Sequence, residues 1–305
     1  MNVQENLKNH PIREGKYLMS KFEKLSERIW FMHAEHESDR PILAYIKGEK
    51  RSLLIDAGTS STHAKMFQSH LNQLGLEMPD YLVFTHCHWD HTFASSSWKS
   101  MFIAHDKTSQ AISKMMECNL ADPSIKDLIR IGFANEDTIE HMSKEYGEKR
   151  VIQLVQPNLT FSEKISIDLG GLTCEVTHVG GDHAEDSCLI YIKEEKTLFI
   201  GDALGPAIYD GPRYYRAEGF LDLVDKVFAY DAETFIESHD RPLNKQEYKD
   251  DLADWILLAQ LVRTYGEHQQ KVLKEFRRHL KMEELTTYWQ KAVDWFLEGE
   301  KRNEK

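Results

Sequence analysis

Six residues, His86-Cys87-His88-Trp89-Asp90-His91, bring together four side chains that can ligate a metal ion. They follow Tyr81-Leu82-Val83-Phe84, an apolar run that reads as a buried strand. His86 and His88 are two apart, so extended backbone projects them to one side. Cys87 alternates away from them and reads as packing. Asp90 and His91 come where the chain must turn. Imidazole and carboxylate together suit a borderline metal such as zinc, with bonds of about 2.0–2.2 Å. Three imidazoles and a carboxylate have no use in a dry core, where unpaired polar groups are costly.

Three further candidates stand at the ends of apolar runs. His183 lies in a Gly-rich turn, Val179-Gly180-Gly181-Asp182-His183, Asp202 follows Leu198-Phe199-Ile200-Gly201, and His239 follows Phe235-Ile236-Glu237-Ser238. Polar residues placed just after buried strands gather on one rim of a sheet, where α/β proteins bind ligands. Alone, each would read as an ordinary surface residue; their register with the His-rich run makes a constellation. His178 competes with His183 but sits inside a strand run and lacks the glycines. His10, His33, His36, His63, His70, His105, His141, His268 and His279 show no ligand spacing.

The elements that must position these groups follow from alternation and turn residues. Ile29–Met32, Ile42–Ile46 and Ser52–Ile55 read as strands, with a hairpin turn at Gly48-Glu49. A helix fits Thr62 to Leu74, with Ala64, Phe67, Leu71 and Leu74 on one face and Gly75 as its stop. Met101–Ala104 reads as another strand. Residues 106–147 read as a helical insertion: Asp106 caps a helix through Met116, Asp122-Pro123-Ser124 opens a second with Ile125, Leu128 and Ile129 on one face, and Glu136–Tyr146 forms a third. Met115 and Met116 either line a pocket or pack the insertion onto the sheet, and apolar stripes usually pack. Strands resume at Lys164–Asp168, Leu172–Val179, Ser187–Ile192, Thr197–Ile200 and Thr234–Glu237, with a helix over Ala217–Phe228. From Asn244 the chain is helical, and Asn244 with Glu247 makes a capping-box start. The resulting division is an arm at 1–15, a main domain at 16–243 and a helical extension at 244–305, either a cap or an oligomer interface that makes a homodimer possible.

The 305 residues carry a formal net charge of −12 and 41% hydrophobic residues. That charge argues against a nucleic-acid partner, which favours a basic face. No apolar run is long enough to span a membrane. Met1 to Arg13 lacks the apolar core of an export signal, and the four cysteines form no CxxC pair. These features point to a cytoplasmic protein with reduced thiols.

In this order the residues resemble the metallo-β-lactamase-fold hydrolase superfamily, whose signature is HxHxDH, a His in a Gly-rich turn, an Asp after an apolar strand and a late His. The resemblance covers about residues 22–242 and includes glyoxalase II-like and lactonase-like enzymes. It implies an α/β architecture, the four-layer αββα sandwich, with two divalent metal ions. One ion would take His86, His88 and His183, the second Asp90, His91 and His239, with Asp202 bridging. Zinc is the foremost expectation, with iron or manganese as alternatives. Asp56 matches a position that accepts a proton from a ligand imidazole and fixes its tautomer; its other reading is a turn residue. Asp90 would also orient a metal-bridging hydroxide. The loop after Asp202 holds Tyr209, Arg213, Tyr214, Tyr215 and Arg216. A tyrosine there can donate to a developing oxyanion, and an arginine can grip a carboxylate or phosphate. Superfamily lactonases use such a tyrosine; spacing does not choose among the three, and Tyr209 is taken as the candidate.

One departure stands out: the family's Gly-His-Thr-Pro-Gly-Ser turn is Asp182-His183-Ala184-Glu185-Asp186-Ser187 here. The expected activity is hydrolysis of a small ester, thioester, lactone or related acyl substrate. Alternatives are phosphodiester or nucleic-acid hydrolysis, persulfide oxidation at one iron, and a non-enzymatic scaffold. The full seven-residue set favours two metals over one and argues against a scaffold.

Overall fold

The computed structural model describes residues 21–147, 150–266 and 268–303. The arm expected at 1–15 lies outside the described residues. The first half runs β1 (Phe22–Lys24), β2 (Ile29–Met32), β3 (Leu43–Lys47), β4 (Ser52–Ile55), α1 (Ser61–Gln73), β5 (Tyr81–Val83), α2 (Trp89–Thr92), β6 (Met101–His105), α3 (Asp106–Met116), α4 (Lys126–Arg130), α5 (Glu136–Tyr146) and β7 (Leu159–Phe161). The second half runs β8 (Lys164–Asp168), β9 (Thr173–His178), β10 (Cys188–Ile192), β11 (Thr197–Gly201), α6 (Ala217–Phe228), β12 (Thr234–Glu237), β13 (Leu243–Asn244), α7 (Lys245–Tyr265), α8 (Gln269–Leu280) and α9 (Thr287–Asn303).

β1 to β7 form one sheet in sequence order, and β8 to β13 form the other, also in order. Period-2 alternation explains how they stack. Ile29, Phe31, Leu53, Ile55 and Val83 of the first sheet meet Cys174, Val176, Ile190, Ile192, Phe199 and Ile236 of the second in one dry layer. The alternate residues Trp30, Met32, Leu54, Leu82 and Phe84 face α1, α3 and the insertion. Leu189, Tyr191, Leu198, Ile200 and Phe235 face α6 and the three last helices. This is the four-layer αββα sandwich, with the C-terminal helices covering the second sheet.

The differences from the sequence reading are local and have causes. β1, β7 and β13 were not expected, because two or three residues are too few to show a period. Asp106 does not cap α3; His105 does, its ring accepting from Lys107 N at 3.2 Å. The second insertion helix begins later, at Lys126, after Ile125 takes a left-handed φ of 43°. That turn buries Ile125 and Leu128 but leaves Ile129 exposed. Met115 is buried in the core and Met116 is exposed. Neither lines a cavity named below, so the packing alternative describes Met115. The capping box on Asn244 and Glu247 is present. Among the described residues, no helix is long and apolar enough to cross a membrane.

Candidate metal centre

The chain brings the carboxyl ends of four strands to one edge. β4 runs parallel to β5, and β11 parallel to β12. Asp56 follows β4, the His-rich run follows β5, Asp202 follows β11 and His239 follows β12. Cross-sheet bonds draw the edges together: Cys188 N donates to Thr85 O at 2.9 Å and Ile42 N to Ser238 O at 2.7 Å. His183 enters from the loop between β9 and β10. Gly205 lets the loop after Asp202 pass against it, since a Cβ there would sit 2.8 Å from His183 Nδ1.

All seven expected residues meet here, as two donor groups. His86, His88 and His183 form one; Asp90, His91, Asp202 and His239 form the other. A single oxygen, Asp202 Oδ2, lies 4.0 Å from His86 Nε2 and 3.4 Å from the Nε2 atoms of His183, His91 and His239. Asp90 Oδ2 lies 2.9 Å from His91 Nε2 and 3.2 Å from His239 Nε2. His178 is elsewhere, stacked on His105 and bonded to Glu185 O. Cys87 joins neither group and packs in the core.

The ring nitrogens pointing away from this centre are held. Asp56 is buried and takes three hydrogen bonds: His91 Nδ1, Thr85 Oγ1 and Thr85 N, each at 2.8 Å. Since the Thr85 hydroxyl donates to Asp56, its lone pairs accept from His86 Nδ1 at 3.1 Å. His183 Nδ1 donates to Pro206 O at 3.2 Å. Each of these rings therefore carries a proton on Nδ1; His86 and His183 turn an Nε2 lone pair inward, while His91 Nε2 faces Asp90 Oδ2 at 2.9 Å. The inward Nε2 atoms of His86 and His183 are buried and have no hydrogen-bond partner. Orphaned, tautomer-fixed imidazole nitrogens around shared carboxylates are the donor set a borderline divalent ion needs. The residues present fit the implied metals.

Electrostatics separate the two donor groups. Burial, reinforced by neighbouring imidazoles, pushes His86 and His88 well below the ordinary imidazole pKa, and burial lowers His183 too. Neutral imidazole is the ligating form. Burial opposes charge on Asp90 and Asp202, but His91 and His239 outweigh it and hold both carboxyls well below the usual range. Burial opposes charge on His91 and His239 as well, but the surrounding carboxylates outweigh it and hold both imidazoles well above the ordinary value, so a cation in the second group competes with these protons.

Two cavities open onto the centre, of about 430 Å³ and about 290 Å³. His88, His183, Ile208 and Tyr209 line both. The Tyr209 ring stands edge-on to His88, with centroids 4.7 Å apart. Burial raises its phenol pKa well above the ordinary value, so it remains a donor. The other loop candidates have different work. Arg216 binds Asp182 through its backbone N at 2.6 Å and its guanidinium at 3.0 Å, anchoring the turn that carries His183. Arg213 pairs with Asp137 on the rim of the smaller cavity. Tyr215 stacks on Phe296 of α9.

Sequence reasoning missed Thr85, Asp182 and the Pro206 carbonyl. Thr85 had a signal, a hydroxyl directly before the first ligand candidate. A backbone carbonyl has none.

The family model of the metallo-beta-lactamase superfamily matches residues 42–239. The chain belongs to this superfamily. Among solved structures it is similar to the sec-alkylsulfatase Pisa1 from Pseudomonas sp., at 14% identity and TM-score 0.62 over 90% of this chain and 47% of that one. It is also similar to a metallo-beta-lactamase from Pontibacter korlensis, at 16% identity and TM-score 0.54 over 79% of this chain and 99% of that one. DIM-1 metallo-beta-lactamase matches at 16% identity and TM-score 0.51, over 79% and 97%. The chain thus spans about half the length of the alkylsulfatase. Likeness at these identities carries the fold. No curated protein matches the sequence.

Proposed function

We propose that this chain is a metal-dependent hydrolase of small acyl substrates: esters, thioesters or lactones. The observation that carries the reading is the pair of donor groups sharing one Asp202 oxygen beneath two cavities. His86, His88 and His183 would hold one ion; Asp90, His91 and His239 the other; Asp202 would serve both. When bound, two divalent ions supply water activation at neutral pH and polarise the acyl oxygen.

The chain's own residues do the rest. Asp56 and Thr85 keep His91 and His86 in the ligating tautomer. Asp90, ionised and set between His91 and His239, can accept a hydrogen bond from the attacking water and orient it. Tyr209, protonated at the junction of the cavities, can donate to the developing oxyanion. The two arms give the acyl part and the leaving group separate places. Seven donors in two groups favour a dinuclear site over the single iron of a persulfide oxidase. The net charge weighs against nucleic acid as substrate, and zinc remains the foremost metal. The cysteines are free, three of them buried, in keeping with a reducing cytoplasm.

The test is to load purified protein with zinc, iron or manganese and assay thioester, aryl ester, lactone, β-lactam, phosphodiester and sulfate-ester substrates. Acyl hydrolysis that disappears on chelation and in Asp202→Ala supports the reading. Cleavage confined to phosphodiesters or sulfate esters, or oxygen uptake with a persulfide, would replace it.

A further inference from the structure

The larger cavity differs from the smaller in how its charges are balanced. Part of its wall is α3, where Lys107, Ala111 and Lys114 recur at i, i+4 and i+7 on one face, and Phe133, Ile208 and Tyr209 line the same cavity. Each exposed charge of this arm but one has a partner. Lys107 pairs with Glu185 at 3.2 Å, and Asp210 with Arg302 at 3.0 Å. Asp182 is taken by Arg216. Asp186 is buried, with Thr108 Oγ1 donating to it at 2.6 Å. Lys114 alone has no charged partner among the described residues. The smaller arm offers no equivalent, because Arg213 is held by Asp137 and His141 faces Asp39 at 3.4 Å.

An unpaired ammonium in the wall of a cavity whose other charges are balanced is a recognition element. On a chain of net charge −12 the overall field repels anions, so an anionic substrate needs a local cation to enter. We propose that the α3 arm binds the acyl chain of substrates that end in an anion, with Lys114 gripping a terminal carboxylate. This rests on the acyl-hydrolase reading and narrows it to ω-anionic acyl substrates.

The experiment separates this inference from the hydrolase reading. Isothermal titration calorimetry on the zinc-loaded full chain would compare suberate with octanoate, acids of equal length that differ in the second carboxylate. The expected result is suberate binding about ten-fold tighter, in line with a charge-assisted contact at a partly exposed site. Lys114→Met should abolish the difference without weakening octanoate, Lys114→Arg should keep it, and Lys107→Met should leave it unchanged. Equal or undetectable binding of the two acids, or a Lys114→Met variant that weakens both alike, would overturn the inference. In parallel, 4-nitrophenyl monoesters of glutarate, adipate and suberate would be assayed against neutral esters of the same lengths. KM for the anionic series should lie below that for the neutral series in wild type and rise about ten-fold in Lys114→Met. Failure of every ester to turn over, with the suberate preference intact, would reject the hydrolase reading and leave the anion arm standing.

Discussion

Asp56→Asn tests how the protein prepares its imidazoles. The substitution keeps side-chain shape, and Asn tolerates the left-handed backbone at this residue, where φ is 60°. Only hydrogen-bond polarity changes. Asp56 Oδ1 must still accept from Thr85 N at 2.8 Å, so the new amide NH2 takes the place of Oδ2. There it meets two donors, His91 Nδ1–H and the Thr85 hydroxyl, each at 2.8 Å. Relief requires His91 to move its proton to Nε2, the atom that faces the metal centre, and Thr85 to reverse its hydroxyl toward His86 Nδ1. Both changes spoil ligation. Partners of this kind contribute about 10–100-fold to metal affinity, or about 1.4–2.7 kcal/mol. Competition of the zinc-loaded variant against a chromogenic chelator measures this directly, with turnover on any substrate the wild type cleaves as a second readout. Thr85→Val should show a smaller loss through His86 alone. Wild-type affinity and turnover in Asp56→Asn would refute the tautomer argument and return Asp56 to a turn residue.

The remaining predictions concern the loop, the tail and pH. Tyr209→Phe should lower kcat about ten-fold or more with metal content unchanged; unchanged kcat in steady-state assays would remove Tyr209 from the reaction. Gly299→Ala on α9 would place a Cβ 1.8 Å from Tyr215 O, so helix and loop must separate, at about 1–3 kcal/mol for overpacking. Thermal melting should fall and activity drop through the displaced loop; a variant with wild-type melting would show the tail to be free of it. Burial raises the Glu237 carboxyl from 4.5 to about 7, against the opposing Tyr248 hydroxyl, which donates to it at 2.6 Å. A raised folded pKa gives stability that is complete below the unfolded value and lost as pH rises through the folded one. In chelated protein, wild type should therefore lose melting temperature relative to Glu237→Gln between about pH 4.5 and about pH 7, and the difference should level off above that. A difference that stays flat over that window would contradict the assignment.

The sequence was most readable where chemistry and period coincide. Strands with clean alternation, such as Ile29–Met32, revealed which residue faces which layer, because one-residue steps swap faces. The ligand candidates were readable because each polar residue ends an apolar run, and buried runs dictate where their ends emerge. Asp56 was suggested by the family pattern, and its contact with His91 is seen only once β4 and β5 pair. What escaped is what depends on three dimensions. Asp106 looked like a cap, yet His105 does that work because its ring folds back over the helix start. Arg216 looked available for substrate, yet the unusual Asp182 in the family's turn engages it. The tail's role was open between cap and interface; its helices cover the second sheet, and Phe296 stacks on Tyr215 of the loop that carries Tyr209.

The central claim is that two donor groups hold two ions. Elemental analysis of the metal-reconstituted, desalted protein, run beside His239→Ala and His183→Ala, tests it most directly. The account predicts about two divalent ions per wild-type chain, one for each donor group, and about one in either variant. One ion per wild-type chain, retained in full by His239→Ala, would contradict it.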